Sequence, residues 1–317
     1  MTEKKVLVSG IQPTGRPHIG NYFGMMKQCI DLAESNENRI CIVDLHALTS
    51  IQNRDELRDN TYDVALDFLA IGLDPKKTIL FKQSDIPEVA ELAWIFNCLT
   101  TMPYLMRANA FKDAEAKNKE INVGKFDYPI LMAADILIQN AEVVPVGKDQ
   151  KQHVEIARDT AEKFNRIFGE TFKLPKEMIL EDVQTVPGID GQKMSKSYNN
   201  TIGLFAEPEE IKSAVMSIVT DSSGDVPTNV YAIHKLFRPE AELKKLYEEK
   251  KGKYKELKEA LIDDIESFIA PLRKKRKELA KDRDYVLDIL AEGRAKVREI
   301  VEAKMEEVRE KVGLTIE

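Results

Sequence analysis

Residues 8–24 read VSGIQPTGRPHIGNYFG. The apolar run KKVLVSG breaks into a loop rich in Gly and Pro, and the amphipathic stretch NYFGMMKQCIDLAE follows at once. That order predicts a strand, a tight turn and a helix whose first turn faces the space above the strand. Free backbone N–H groups at a helix N-terminus suit phosphate. The stretch is not a Walker loop, because no G-K-[ST] follows the glycines, and it lacks the G-x-G-x-x-G of dinucleotide folds. Its distinctive feature is the imidazole of His18, two residues before Gly20 at the head of the helix. Taken alone, a buried strand–helix joint without a ligand is the plainer alternative.

The pattern repeats down the chain. Residues 4–9 read as a strand and 20–34 as its helix; RICIVDLHAL (39–48) is a second strand. RDELRDNTYDVALDFLAIGL (54–73) puts Leu57, Val64, Ala65, Phe68 and Leu69 on one helical face. TILFKQ (78–83) is a third strand and residues 88–101 a third amphipathic helix. Strands alternating with helices of this length predict an α/β fold with a parallel, doubly wound sheet. Ligands gather at the carboxyl ends of such strands. The rule brings Gln12, His18, Asp44, His46 and Gln83 to one crevice.

Residues 104–126 are polar and charged and read as an inserted helix or mobile loop. DYPILMAADILIQ (127–139) is a nearly all-apolar helix with one interior acid, Asp135. A buried carboxylate costs several kcal/mol unless it is partnered. It is therefore either a satisfied structural acid or an acceptor aimed into a pocket. EVVPVG (142–147) reads as another buried strand. The helix over 148–169 begins at its carboxyl end and turns Asp149 and Gln150 toward the crevice.

Between 187 and 201 the pattern collapses into PGIDGQKMSKSYNNT, a flexible polar loop. From 207 onward the chain reads helical, over 207–219, 229–237, 239–250, 253–280 and 284–312. This divides the protein into an α/β part, 1–200, and a helical part, 201–317. Five consecutive cations, Arg273 to Lys277, read as a solvated helix face, with an RNA contact as the alternative.

Composition narrows the classes. The 317 residues are 43% hydrophobic and 32% charged, ordinary for a globular protein. No apolar run approaches a membrane span, and the start MTEKK carries no export signal, so the expected location is the cytoplasm. Cys29, Cys41 and Cys98 are scattered without a C-x-x-C pair, so zinc and iron–sulfur sites are not expected. Each reads as a small core hydrophobe. The net charge of −7 argues against a nucleic-acid coat, though not against a local basic face.

The pair PTGRPHIGN and KMSKS, in that order and in those contexts, resembles the HIGH and KMSKS motifs of class I aminoacyl-tRNA synthetases. SGIQPTG, YPILMAADIL and VPVGKDQKQHVEIARD are most similar to the tryptophanyl branch, and the likeness weakens after about residue 240. The resemblance implies a Rossmann-like catalytic domain with a helical, anticodon-binding C-terminal domain. It implies ATP with Mg²⁺, L-tryptophan and tRNA(Trp) as ligands, and a homodimer, with no membrane or DNA partner. His18, Lys193, Ser195 and Lys196 take the catalytic roles; Gln12, Thr14, Gly20, Asn21, Gly147, Asp149 and Met194 complete the nucleotide site. Asp135 becomes the acceptor of the indole N–H. Tyr128, Met132, His46, Gln150, Val144 and Val146 surround it, and Lys112 reaches for the triphosphate. One departure stands out: Asn21 occupies the fourth position of HIGH, so no second imidazole is available. A tyrosyl enzyme, a silent RNA-binding relative and a nucleotidyltransferase of the same ancestry are the competing readings.

Overall fold

The computed structural model describes residues 4–108, 111, 112, 115, 121–147, 150–179, 186–220 and 226–316. Five parallel strands form one sheet: β1 Val6–Ile11, β2 Glu37–Ile42, β3 Thr78–Lys82, β4 Val143–Val146 and β5 Lys176–Ile179. Their order is β3-β2-β1-β4-β5. The chain runs outward from β1 to one edge and returns to its other side, so the switch point lies between β1 and β4. In sheets of this kind ligands bind beside that point, at the carboxyl ends of the strands. The doubly wound expectation is met, with one addition. The sequence KEMI of β5 is short and half charged, and no apolar run announces an edge strand of that kind.

Helix α1 spans 19–34 as a composite: an α turn Ile19–Asn21, a π segment Tyr22–Met26, α-helical Lys27–Asp31 and a 3₁₀ end Leu32–Glu34. Helix α2 is the short Asp44–Ala47, α3 is Arg54–Ala70, α4 is Glu88–Leu99, and α5 is Met102–Leu105. Helix α6, Val123–Leu137, begins four residues earlier than the apolar run suggests, because Asn122 caps it by accepting from the Lys125 N–H at 2.8 Å. Helix α7 is Lys151–Phe168. Pro208–Met216, Thr228–His234, Glu240–Glu249, Tyr254–Leu279 and Arg283–Val312 follow as α8 to α12.

The second predicted strand is corrected. It ends at Ile42, and Asp44 and His46 lie on α2. The Gln83 side chain accepts from the backbone N–H groups of Leu45 and His46 and so satisfies the head of a helical turn. A tertiary partner overrides the β-branched pattern here. Of the inserted region, Lys112 is described and exposed, while most of 109–120 lies outside the described residues.

Two hydrophobic clusters fill the faces of the sheet. One joins α4, α6, α7 and the distal half of α12; the other joins α1, α3, α8, α9, α11 and the proximal half of α12. Helix α12 therefore crosses the edge strand β3, with Val286, Ile289 and Leu290 on one side and Val297, Val301 and Met305 on the other. The crossing falls at Gly293, where an added Cβ would lie 1.9 Å from the Leu80 carbonyl oxygen. Only a residue without a side chain lets helix and strand approach so closely. The helix thereby covers an edge that would otherwise invite pairing with another chain.

The basic run divides between an inward and an outward face. Arg273 is buried and meets Glu266 and the Ala206 carbonyl, and Arg276 lies between Asp63 and Asp67 of α3. Lys277 pairs with Glu207 at 2.6 Å. Lys274, Lys275 and Lys277 are exposed, so the expectation of a solvated face holds for three of the five cations and is corrected at Arg273 and Arg276, which tie α11 to its neighbours. Cys29 and Cys41 are buried as expected, but Cys98 is exposed, on the outer surface of α4.

Candidate active site

The first half of the site grows from the turn after β1. His18 stands just before α1 and its ring Nδ1 accepts the Asn21 N–H at 3.2 Å, while its own N–H donates to Asn21 Oδ1 at 3.1 Å. This reciprocal capping box gives Asn21 a structural task at the position where HIGH carries its second His. With Nδ1 occupied as an acceptor, the proton of the neutral ring sits on Nε2. Burial lowers the His18 pKa from its usual 6.5 to about 4, assisted by the nearby Lys196 charge. The imidazole is thus uncharged at neutral pH. Gly20 follows with no room to spare: a Cβ there would lie 2.8 Å from His18 Nδ1 and 3.3 Å from Met194 Cβ.

The polar loop 187–201 folds down onto this turn. The Ile19 N–H donates to the Ile202 carbonyl at 3.0 Å, and the Leu204 N–H donates to that of Pro17 at 3.0 Å. Met194 is buried among the α1 and α3 side chains. Lys196 Nζ donates to the carbonyls of Thr14 and Gly15 at 3.0 and 2.8 Å, so the two signature stretches touch across about 180 residues. Asn200 organises the loop from beneath, receiving the Ser195 N–H on its oxygen at 2.7 Å and donating to Asp190 at 2.7 Å. Ser195 and Ser197 share a hydroxyl bond of 2.9 Å, and the Lys193 side chain is exposed.

The second half is a buried polar network beside β3 and β4. Asp135, on α6, receives Gln83 Nε2 on both carboxylate oxygens at 2.8 Å and faces His46 Nε2 at 2.9 Å. The His46 ring stands edge-on to that of Tyr128, with centroids 6.2 Å apart, and the Tyr128 hydroxyl meets His153 Nε2 at 2.6 Å. Met132, one turn before Asp135, is partly buried, as is Val146 at the end of β4; Val144 is buried. Gln12 links the halves: its side-chain amide donates to the His46 carbonyl at 3.4 Å.

Most residues singled out in the sequence thus meet at one crevice. Thr14, His18, Gly20, Asn21, Met194, Ser195 and Lys196 gather in the first group, and Asp135, His46 and Tyr128, with Met132, Val144 and Val146 in the adjoining hydrophobic cluster, in the second; Gln12 joins the two. Gly147 and Gln150 sit at the carboxyl end of β4, where the Gln150 N–H donates to the Gly147 carbonyl at 2.9 Å. Asp149 lies outside the described residues. Three participants had no assigned task in the sequence: Gln83, His153 and Asn200. Gln83 was detectable only as a polar residue ending a strand; His153 was one helical turn beyond Gln150, without a pattern of its own.

Residues 1–277 match the family model described as tRNA synthetases class I (W and Y). A tryptophan–tRNA ligase of Rhodopirellula baltica is 48% identical over 317 residues, covering 97% of this chain and 99% of the relative. One from Fusobacterium nucleatum is 48% identical over 316 residues, covering 97% of each. Among solved structures, the Campylobacter jejuni tryptophanyl-tRNA synthetase complexed with ADP and tryptophan superposes with a TM-score of 0.91 at 42% identity, covering 97% of this chain and 99% of that one. The motifs, the crevice at the switch point and these likenesses agree: the chain belongs to the class I tRNA synthetases of the tryptophan and tyrosine family.

Proposed function

We propose that this protein is a tryptophan–tRNA ligase, which activates L-tryptophan with ATP and transfers it to tRNA(Trp). The observation that carries the reading is the buried carboxylate of Asp135 within a crevice whose other wall joins the two ATP-associated motifs. Its near full-length likeness to tryptophan–tRNA ligases supports the same substrate.

In the first step a carboxylate oxygen of the amino acid attacks the α-phosphorus of ATP, and the bond to the bridging oxygen of pyrophosphate breaks. The nucleophile is already ionised, so no protein base is needed. Positioning and charge neutralisation lower the barrier. His18 Nε2–H and the backbone at Gly20 and Asn21 hold the nucleotide, with Gln12, Thr14, Gly147 and Asp149 around it. Lys193 and Lys196, with Ser195, hold the departing pyrophosphate, and Met194 seats their loop. When bound with the triphosphate, Mg²⁺ would supply further neutralisation of the phosphate charge beside Lys193 and Lys196. Lys112, exposed in the inserted region, is read as reaching for the triphosphate.

Asp135 accepts the indole N–H. An amino acid without that donor leaves the carboxylate facing an apolar ring, the strong form of discrimination. Tyr128, Met132, Val144 and Val146 frame the ring, while Gln150, Gln12 and His46 attend to the amino-acid head group. In the second step a hydroxyl of the terminal adenosine of tRNA attacks the carbonyl carbon and AMP leaves. Residues 1–200 are read as the catalytic domain and 201–317 as the helical domain that meets the anticodon.

The enzyme is read as a cytoplasmic homodimer. No described helix is long and apolar enough to cross a membrane. Trp94, on α4, is 70% exposed and lines a cavity of about 290 Å³ that reaches Leu45 and Tyr128; Met102, on α5, is 67% exposed. A surface that apolar fits a second copy of the same face. Sedimentation as a monomer at micromolar concentration would contradict the dimer.

Exchange of labelled pyrophosphate into ATP, measured with each of the twenty amino acids, tests the function. Stimulation by tryptophan is expected. Stimulation by tyrosine in its place, or by none of them, would overturn it.

A further inference from the structure

The Gln83 side chain is fully buried, and each of its polar ends is occupied. Its oxygen accepts the backbone N–H groups of Leu45 and His46 at 3.1 and 3.3 Å. Its nitrogen donates to Asp135 Oδ1 and Oδ2, both at 2.8 Å. A flipped amide would aim N–H groups at N–H groups and an oxygen at a carboxylate, so only one orientation fits. The head of α2 therefore dictates which atom of Gln83 faces Asp135. His46, the second donor to Asp135, stands on the same short helix whose backbone Gln83 caps. Both groups that face the carboxylate are thus fixed by one side chain.

The Asp135 main chain is held separately, because its carbonyl accepts the Gln139 amide at 3.0 Å. Backbone and carboxylate are then restrained by different partners, and Gln83 governs the direction in which the carboxylate presents its open lone pairs. A carboxylate free to rotate could satisfy itself on His46 alone and turn away from a ligand.

We infer that Gln83 is a positioning residue for amino-acid selection: it locks the Asp135 carboxylate in the orientation that receives a ring N–H of the substrate. It touches no substrate atom itself. The inference rests on the reading that Asp135 accepts the indole N–H, and it predicts an effect confined to substrates carrying that donor.

The test compares kcat/KM in pyrophosphate exchange for L-tryptophan and for its isostere 3-(benzothiophen-3-yl)alanine, in which sulfur replaces the ring N–H. Gln83→Met removes both ends of the amide. Gln83→Glu keeps an acceptor for the Leu45 and His46 N–H groups and sets a second carboxyl against Asp135; the buried pair shares one proton, so the fixed amide N–H that orients Asp135 is lost while the site stays near neutral, and circular dichroism checks that both variants fold. In Gln83→Glu the preference for tryptophan over the isostere should fall about tenfold to a hundredfold, a loss typical of a misaligned reacting group. The rate with the isostere should stay within about twofold of the parent enzyme, because no N–H is being oriented. A parallel fall with both substrates would mean that Gln83 merely supports the fold and would overturn the inference. Asp135→Asn, run beside it, separates the two levels. If Asp135→Asn leaves the preference intact, the reading of Asp135 itself is wrong. If Asp135→Asn abolishes the preference and Gln83→Glu does not, only the role of Gln83 is lost.

Discussion

On the His18 side of the crevice, the contacts run through backbone atoms. Asn21 N–H meets His18 Nδ1, Lys196 reaches the Thr14 and Gly15 carbonyls, and the strands of chain at 17–19 and 202–204 exchange main-chain bonds. On the Asp135 side the contacts run through side chains: Gln83 and His46 face one carboxylate, and Tyr128 meets His153. The difference fits the ligands proposed for the two sides. A triphosphate offers charge and many equivalent oxygens, which main-chain donors and lysines can follow as it changes shape. A single ring N–H must be distinguished from its absence, and that requires one acceptor held still in a place water does not reach.

Substitutions can break this contrast at either end. The largest effect is expected from Lys196→Ala. If its ammonium grips the departing pyrophosphate, kcat for exchange should fall about 10²- to 10³-fold, as for other donors that act on transition-state charge. The KM for ATP should move far less. A rise in KM at constant kcat would place Lys196 in ground-state binding only. Gly20→Ala comes next. The new methyl would press on His18 Nδ1 at 2.8 Å and disturb the capping box, so ATP-dependent activity should drop about tenfold to a hundredfold. Tryptophan binding, measured without ATP by calorimetry, should be nearly unchanged. Loss of both together would show that the two sides are not independent.

The smallest effect concerns pH. Asp67 is buried against Arg276, and burial raises its pKa from 3.8 to about 6. Its folded form therefore binds more protons than its unfolded form between those values, and its contribution to stability falls as pH rises across that window. His18 has the opposite sign: with a pKa lowered from 6.5 to about 4, it makes stability rise with pH across nearly the same range. The two slopes oppose in the parent protein. Asp67→Asn removes one, so its melting temperature should climb more steeply between about pH 4 and pH 6.5 than that of the parent, by differential scanning fluorimetry. Identical pH profiles would contradict these assignments.

The same contrast explains what could be read in the sequence. The side proposed for the nucleotide is built from two contiguous stretches, and PTGRPHIGN and KMSKS carry their geometry in their spacing. The parallel, doubly wound sheet followed from the alternation of strands and helices, though not its strand order. Asp135 was visible because a lone acid interrupts an apolar helix. Gln83 was less so, for a polar residue at the end of a strand is ordinary; its role depends on α2, which the β-like run RICIVDLHAL concealed. β5 was hidden by its charge, and the inward turn of Arg273 and Arg276 by their neighbours in a run of cations. Contacts across long stretches of chain, such as Arg276 to Asp63 and Asp67, leave no local periodicity to find.

The central claim is that the Asp135 carboxylate chooses the amino acid while the His18–Lys196 side handles ATP. Asp135→Asn, assayed by amino-acid-dependent pyrophosphate exchange with tryptophan and phenylalanine in parallel, tests it most directly. The variant should fold, and its preference for tryptophan should collapse by about 10²-fold or more, since an asparagine can turn its donor toward the indole. A preference equal to that of the parent would contradict it.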